Sequence, residues 1–255
     1  MKTFFESLVI AFSMYSRIPM PQVKWNEKNM RYSMLFFPAV GSVVAAVLYG
    51  VFFLFRQFSM SPVFFAAIAV LVPVLITGGI HTDGYCDTCD ALASHGDRET
   101  RLRIMKDPHI GAFGLIYTLA VLLLQFGAWH QLFLKSGFLI TVLACFVLSR
   151  SLAALAIIHF PKAKQSGLAA TFSGYTEKTA STVVLIIIAA VAALLPAACN
   201  FFYLLIPACA LLLFWIFYRM SKKQFDGITG DLAGFYITVC ETMVLVLSAV
   251  LGAVL

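Results

Sequence analysis

MLFFPAVGSVVAAVLYGVFFLF, residues 34–55, is a run of 22 residues without a charged side chain. A helix needs roughly 20 consecutive apolar residues to span a bilayer. Of the 255 residues, 61% are hydrophobic and 12% are charged, whereas soluble domains are about one-quarter charged. No segment alternates apolar and polar residues as the strands of a membrane barrel do. The sequence therefore predicts an all-α, polytopic membrane bundle and excludes a water-soluble globule.

Similar runs recur along the chain and predict about seven transmembrane helices. They lie near residues 32–56, 60–80, 110–134, 136–160, 180–199, 201–218 and 232–255. The segment 3–15 is short and is interrupted by Glu6 and Ser13, so it is predicted to be a short N-terminal interfacial or re-entrant helix. Because no linker or internal repeat divides the chain, residues 1–255 are predicted to form one integral membrane domain.

The basic residues predict the orientation of this bundle. Four alternate loops carry 14 Lys and Arg residues, while the loops between them carry only Arg56 and Lys135. The positive-inside rule places the four basic loops on the cytoplasmic side of the cell (inner) membrane. Topology thus accounts for the net charge of +6. Membrane lipid is the expected surrounding, no nucleic-acid partner is expected, and a homo-oligomer is compatible with this pattern.

Half of the twelve acidic residues lie between positions 83 and 107, in one predicted cytoplasmic segment. Asp83, Asp87 and Asp90 have the spacing i, i+4, i+7, which on a helix puts their carboxylates within about 60° of one another. A hard divalent cation would relieve their mutual repulsion, and Mg²⁺ also accepts phosphate oxygens as ligands. The segment therefore predicts a magnesium site for phosphate chemistry, with a solvated acidic helix face as the alternative.

Residues on either side of the acidic segment fit a phosphate site. Gly78 and Gly79 interrupt an apolar run, where glycine lets the backbone approach a ligand closely. Downstream, Arg103 and Lys106 fall on one helix face and are predicted to bind phosphate. The sequence 226–231, DGITGD, is either an ordinary turn or a second carboxylate cluster in which Asp231 contacts substrate.

The pair Cys86-x-x-Cys89, with His81 and His95, is an alternative zinc or redox site. No second cysteine pair accompanies it, and on a helix each cysteine is predicted to point away from the carboxylates. His81 is either hydrogen-bonded to backbone at the membrane edge or takes part in proton transfer or substrate binding.

Two charges fall inside predicted spans. Arg150 and Glu241 lie roughly 16 and 14 Å from the cytoplasmic ends of their helices, at 1.5 Å per residue. Charges at that depth pair or line a polar cavity, so we predict that the two bond to each other or face the same cavity. Such a pair either fixes helix packing only or lets Arg150 bind substrate.

Two longer strings resemble the signature of the cobalamin synthase family, the adenosylcobinamide-GDP ribazoletransferases. They are TGGIHTDGYCDTCDAL at 77–92 and IMKDPHIGAFG at 104–114. Shorter similar pieces run through nearly the whole chain, at 16–21, 37–41, 149–150, 167–168 and 229–234. The departures are Cys86 and Cys89, where family members usually have apolar or small residues, and Ala91, where glycine is usual.

The resemblance implies a Mg²⁺-dependent transferase that joins adenosylcobinamide-GDP to α-ribazole or its 5′-phosphate and releases GMP. It implies that three aspartates hold one or two Mg²⁺ ions: Asp83, Asp87 and Asp90. Arg103 and Lys106 would steady the leaving GMP, and Asp90, with His81 as the second choice, would accept the hydroxyl proton. The other substrate-binding residues are expected to be Gly78, Gly79, Arg150 and Asp231.

Three rival functions fit parts of the pattern. An aspartate-rich membrane prenyltransferase would use Asp83-x-x-x-Asp87 as its first motif, but Asp226 and Asp231 are one residue too far apart for its second. A CDP-alcohol phosphotransferase needs Ala-Arg where this chain has Asp87-Thr88. A transporter or channel predicts acids along a path through the bilayer, whereas most acids here gather at one face.

Overall fold

A computed structural model of the protein describes residues 2–135, 138–163, 167–198 and 201–254. The described residues form helices and connections and contain no β-strand, only an isolated bridge between Lys162 and Ile228. The all-α prediction is therefore confirmed. The α-helices are α1 (Lys2–Tyr15), α2 (Glu27–Met30), α3 (Phe37–Gln57), α4 (Pro62–Thr77), α5 (Ile80–Ala93), α6 (Arg98–Ile104), α7 (Ala112–Leu134), α8 (Leu139–His159), α9 (Leu168–Tyr175), α10 (Lys178–Leu194), α11 (Leu205–Phe225) and α12 (Gly230–Val254).

The described chain contains six helical segments that are long and apolar enough to cross a membrane. They are Glu27–Gln57, Ala112–Leu134, Leu139–His159, Lys178–Ala197, Phe201–Phe225 and Gly230–Val254. A seventh span is obtained if α4 and α5, bent by 95° at their junction, are counted as one. About seven spans is thus confirmed, and the span predicted near 60–80 corresponds to α4, which has 16 residues and ends at Thr77, where the two glycines interrupt the apolar run.

The bend between α4 and α5 is made by two consecutive glycines. Gly78 ends α4 with φ +68°, and Gly79 precedes α5 with φ +79°. Both angles lie in the left-handed region, which costs an L-residue with a Cβ roughly 1–2 kcal/mol. The chain can therefore turn by about a right angle here without a loop.

Helix α8 is the most buried of the six spans and lies at the centre of the bundle, against α3, α10 and α12. Its contact with α3 is close, because a Cβ added at Gly41 would lie 2.1 Å from the backbone oxygen of Phe146. Small residues let membrane helices approach in this way. Helix α1 is confirmed as a short N-terminal helix, and its Val9, Ile10 and Ala11 are fully buried against the bundle.

Gly41→Ala should destabilise the protein because the new methyl group overlaps the α8 backbone. Overpacking of this kind costs about 1–3 kcal/mol. The measurement is the unfolding temperature in detergent, which should fall. Gly50→Ala is the matched control, since it lies on the same helix with nothing within 4 Å of the added Cβ. Equal unfolding temperatures for the two variants would contradict this account of the α3–α8 contact.

Candidate active site

The acidic residues lie on one helix, as predicted. Asp83 is exposed on α5, and Asp87 and Asp90 are partly buried on the same helix. Asp87 is repelled by Asp83, by Asp90 and, from the start of α12, by Asp231. Negative charge from two helices is therefore concentrated around Asp87. Binding of a cation is the simplest way to relieve such repulsion.

Helix α12 reaches this acidic face because Gly84 has no side chain. A Cβ added at Gly84 would lie 2.6 Å from the backbone oxygen of Asp231. One turn further along α12, a Cβ at Gly234 would lie 3.2 Å from the backbone of His81. Asp231 therefore lies beside the acidic face of α5, and its contact with substrate stays a prediction.

The Asp90 side chain extends from α5 to the beginning of α7. The backbone N–H of Gly114 donates to Asp90 Oδ1 at 3.3 Å, and a Cβ added at Gly111 would lie 2.0 Å from the same oxygen. Gly111 precedes α7 and provides no side-chain cap. The Asp90 carboxylate therefore interacts with the positive end of α7. The glycines of the string 104–114 make room for it.

No three His, Cys, Asp or Glu side chains in the described part of the chain converge closely enough to hold a metal ion by themselves. Mg²⁺ commonly takes only one or two carboxylates and completes its shell with water and substrate phosphates. The repulsion around Asp87 and the exposure of Asp83 fit an open site of that kind. They do not fit a closed cage of protein ligands.

The cysteine pair does not form the alternative zinc site in the residues that the structure describes. The prediction that both cysteines point away from the carboxylates is wrong for Cys86. Cys86 lines the same cleft as Asp83, because three residues along a helix bring a side chain back to the same face.

An open cleft of about 700 Å³ lies between the end of α1, the α4–α5 bend and the start of α7. Asp83, Gly78 and Gly79 line it, as the sequence predicted for a site at this interruption. Its polar lining also includes Arg17, a residue of a basic loop and of the string 16–21 that was not among the predicted site residues. On the other side of α5, a smaller cavity of about 80 Å³ is lined by His81 and Asp231.

His81 is buried, and its Nε2 has no hydrogen-bond partner in the described residues. Its backbone oxygen accepts a hydrogen bond from Thr238 Oγ1 at 3.2 Å, and its ring lies 5.8 Å from that of Phe37. The imidazole lines two cavities, one with Asp231 and one with Arg150. Proton transfer by His81 and substrate binding by His81 both stay predictions.

The basic side chains in and after α6 have different surroundings. Arg98 pairs with Asp226 at 3.1 Å and donates to the Ala163 backbone oxygen at 3.0 Å, which accounts for Asp226 as part of a structural turn. Arg103 and Lys106 are exposed and lie outside the lining of the cleft. The prediction that they share a helix face is wrong, because α6 ends at Ile104 and Lys106 lies in the turn that follows. Their contact with the leaving GMP stays a prediction.

The predicted pairing of Arg150 with Glu241 is confirmed. Arg150 is only 1% exposed, and its Nη1 forms an ion pair with Glu241 Oε1, which also accepts from Ser149 Oγ at 2.9 Å. Both residues line a cavity of about 40 Å³ below the site, together with Gln125. Substrate binding by Arg150 stays a prediction.

Residues 7–249 match the family described as cobalamin-5-phosphate synthase. The chain belongs to this family. It is 41% identical over 238 residues to the adenosylcobinamide-GDP ribazoletransferase of Lachnoclostridium phytofermentans, covering 93% of this chain and 90% of the relative. It is 32% identical to the protein of that name from Geobacillus sp., covering 95% of this chain and 94% of the relative.

The protein of the same name from Clostridium botulinum is 31% identical over 243 residues, covering 94% of this chain and 96% of the relative. No solved structure matches the chain. The resemblance predicted from residues 77–92 and 104–114 is therefore confirmed at the level of the family. The rival prenyltransferase, CDP-alcohol and transporter readings account for less of the chain than a match from residue 7 to residue 249.

Removing one member of the buried ion pair should destabilise the protein more than removing both. Arg150→Met or Glu241→Leu alone leaves an uncompensated buried charge, which costs about 3–5 kcal/mol. The double variant removes both charges and should recover most of the unfolding temperature. A double-mutant cycle of thermal unfolding in detergent measures the coupling, and additive losses would contradict a direct pair.

Proposed function

We propose that the protein is a membrane-bound transferase that joins adenosylcobinamide-GDP to α-ribazole, or to its 5′-phosphate, and releases GMP. The products are adenosylcobalamin or its 5′-phosphate. The observation that supports this most directly is the acidic face of α5 beside an open cleft, in a chain that belongs to the cobalamin-5-phosphate synthase family. Relatives of this chain bear the name of that transferase.

In the proposed reaction, a ribose hydroxyl oxygen attacks the phosphorus bound to cobinamide. A new P–O bond forms, the P–O bond to GMP breaks, and the hydroxyl proton passes to a base. Asp90 is the proposed base. Since Asp90 Oδ1 accepts the Gly114 N–H, Oδ2 is the oxygen that would take the proton, with His81 as the second choice.

The remaining charges bind and orient the substrate. Asp83, Asp87 and Asp90 would hold one or two Mg²⁺ ions, which when bound neutralise the diphosphate. Arg103 and Lys106 would steady the leaving GMP. The other proposed substrate contacts are the backbone of Gly78 and Gly79, the Asp231 carboxylate and Arg150.

Asp83→Asn and Asp87→Asn should each lower the rate of GMP release by at least about 100-fold, because each removes a charged oxygen ligand of the metal. The measurement is release of radiolabelled GMP from adenosylcobinamide-GDP by purified protein, with the unfolding temperature recorded in parallel. Glu99→Gln is the matched control, since Glu99 is an exposed carboxylate on α6. Full activity of either aspartate variant would remove this metal site from the mechanism.

Chelation of divalent ions should abolish GMP release, and added Mg²⁺ should restore it. The Asn variants should need a higher Mg²⁺ concentration for half-maximal residual activity, because fewer ligands bind the ion. Pyrophosphate release from a prenyl donor, without GMP release from the corrinoid, would instead support the prenyltransferase reading. Activity that survives chelation would contradict the metal requirement.

The active-site loops are proposed to face the cytoplasm from the inner membrane, following the positive-inside rule. A Glu99→Cys variant should react with a membrane-impermeant maleimide in inverted vesicles and not in right-side-out cells. Maleimide labelling of the wild type measures the background from the protein's own cysteines. Labelling in intact cells above that background would reverse the proposed orientation.

A further inference from the structure

Arg17 is attached to the α4–α5 bend through both its backbone and its side chain. Its backbone N–H donates to the Ile76 oxygen at 2.7 Å. Its side chain lies across Gly78, where an added Cβ would be 2.4 Å from Arg17 Nε and 2.8 Å from Cγ. The end of α1 thus brings this guanidinium to a defined position on the bend.

The Arg17 guanidinium makes no ion pair with an acidic side chain in the part of the chain that the structure describes. It is exposed and lines the 700 Å³ cleft with Asp83. In contrast, Arg98 and Arg150 are both paired with carboxylates. Arg17 therefore carries a positive charge without an acidic partner in a cleft that is also lined by Asp83, one of the three carboxylates proposed to bind metal.

A second source of positive potential adjoins Arg17. Helix α5 has 14 residues and begins after Gly79, which provides no side-chain cap. Gly79 and Ile80 line the cleft, so the positive end of the α5 dipole lies at its wall. A bound anion would interact with both the guanidinium and this helix end.

We propose that Arg17 is a substrate-binding residue that holds the diphosphate of the GDP-activated substrate. This inference rests on the proposed function and assigns one half of its substrate to one side chain. The planar guanidinium donates two parallel hydrogen bonds to phosphate oxygens, which a lysine ammonium cannot do. The acceptor, α-ribazole, carries no diphosphate and does not depend on Arg17.

The first test compares the Michaelis constants of Arg17→Gln and Arg17→Lys for the two substrates. Arg17→Gln should raise KM for adenosylcobinamide-GDP by about 10- to 100-fold, the effect of losing hydrogen bonds to a charged group. KM for α-ribazole should stay within about twofold, and the lysine variant should recover only part of the loss. Arg31→Gln, an exposed arginine outside the cleft, is the control. An unchanged KM for the GDP substrate, or equal rises for both substrates, would overturn the proposal.

The two glycines of the bend supply a second, independent pair of variants. Gly78→Ala forces the Arg17 side chain away, whereas Gly79→Ala carries similar φ strain but its Cβ would meet only Val74, at 3.9 Å. Gly78→Ala should therefore raise KM for the GDP substrate as Arg17→Gln does, and Gly79→Ala should raise it much less. Equal effects would mean that the bend matters and Arg17 does not.

Binding of inorganic pyrophosphate with Mg²⁺, measured by isothermal titration in detergent, separates this inference from the proposed function. If the wild type fails to release GMP but binds pyrophosphate at least tenfold more tightly than Arg17→Gln, the proposed reaction is wrong, and anion binding by Arg17 is supported. If the wild type releases GMP and Arg17→Gln binds pyrophosphate equally well, the reaction stands and the assignment of Arg17 is overturned.

Discussion

The 95° bend between α4 and α5 is the constraint on which the rest of the site depends. Gly78 and Gly79 both adopt positive φ, so an apolar helix and an acid-bearing helix follow each other without an intervening loop. Had α4 continued straight, the carboxylates of α5 would point along a membrane span, where an unpaired charge is costly. The bend instead lays α5 between α7 and α12 and leaves its Asp83 side open to the cleft.

Glycine then decides which groups gather around α5. Gly84 admits the backbone of Asp231 from α12, Gly111 admits the Asp90 carboxylate, and Gly78 admits the Arg17 side chain. In each case a single methyl group would occupy the space of the approaching atom. The glycine-rich strings that resemble the family signature therefore have a packing explanation: they create the close contacts that bring chemical groups together from α1, α5, α7 and α12.

Much of the fold could be predicted because long apolar runs determine membrane spans with little help from tertiary contacts. The helix at 80–93 followed from aspartate periodicity, and the Arg150–Glu241 pair followed from matching depths. The bend between α4 and α5 could not be predicted in this way, since Gly-Gly inside an apolar run is compatible with a continued span. Arg17 was missed for a different reason. Its contact with Gly78 spans about 60 residues of sequence, and no local periodicity encodes such a contact.

The site combines carboxylates that repel one another with an arginine that has no acidic partner among the described residues. Asp87 is repelled by neighbouring carboxylates, while Arg98 of α6 pairs with Asp226 and Arg150 pairs with Glu241 below the site. Arg17 has positive charge without an acidic partner among the described residues. A bare cation would relieve the carboxylates and repel Arg17, and a bare anion would do the reverse. The proposed divalent cation with its diphosphate would satisfy both, since the carboxylates would bind the cation and the guanidinium would bind phosphate oxygens. The charges of Asp83, Asp87 and Arg17 are therefore consistent with the proposed metal–diphosphate substrate.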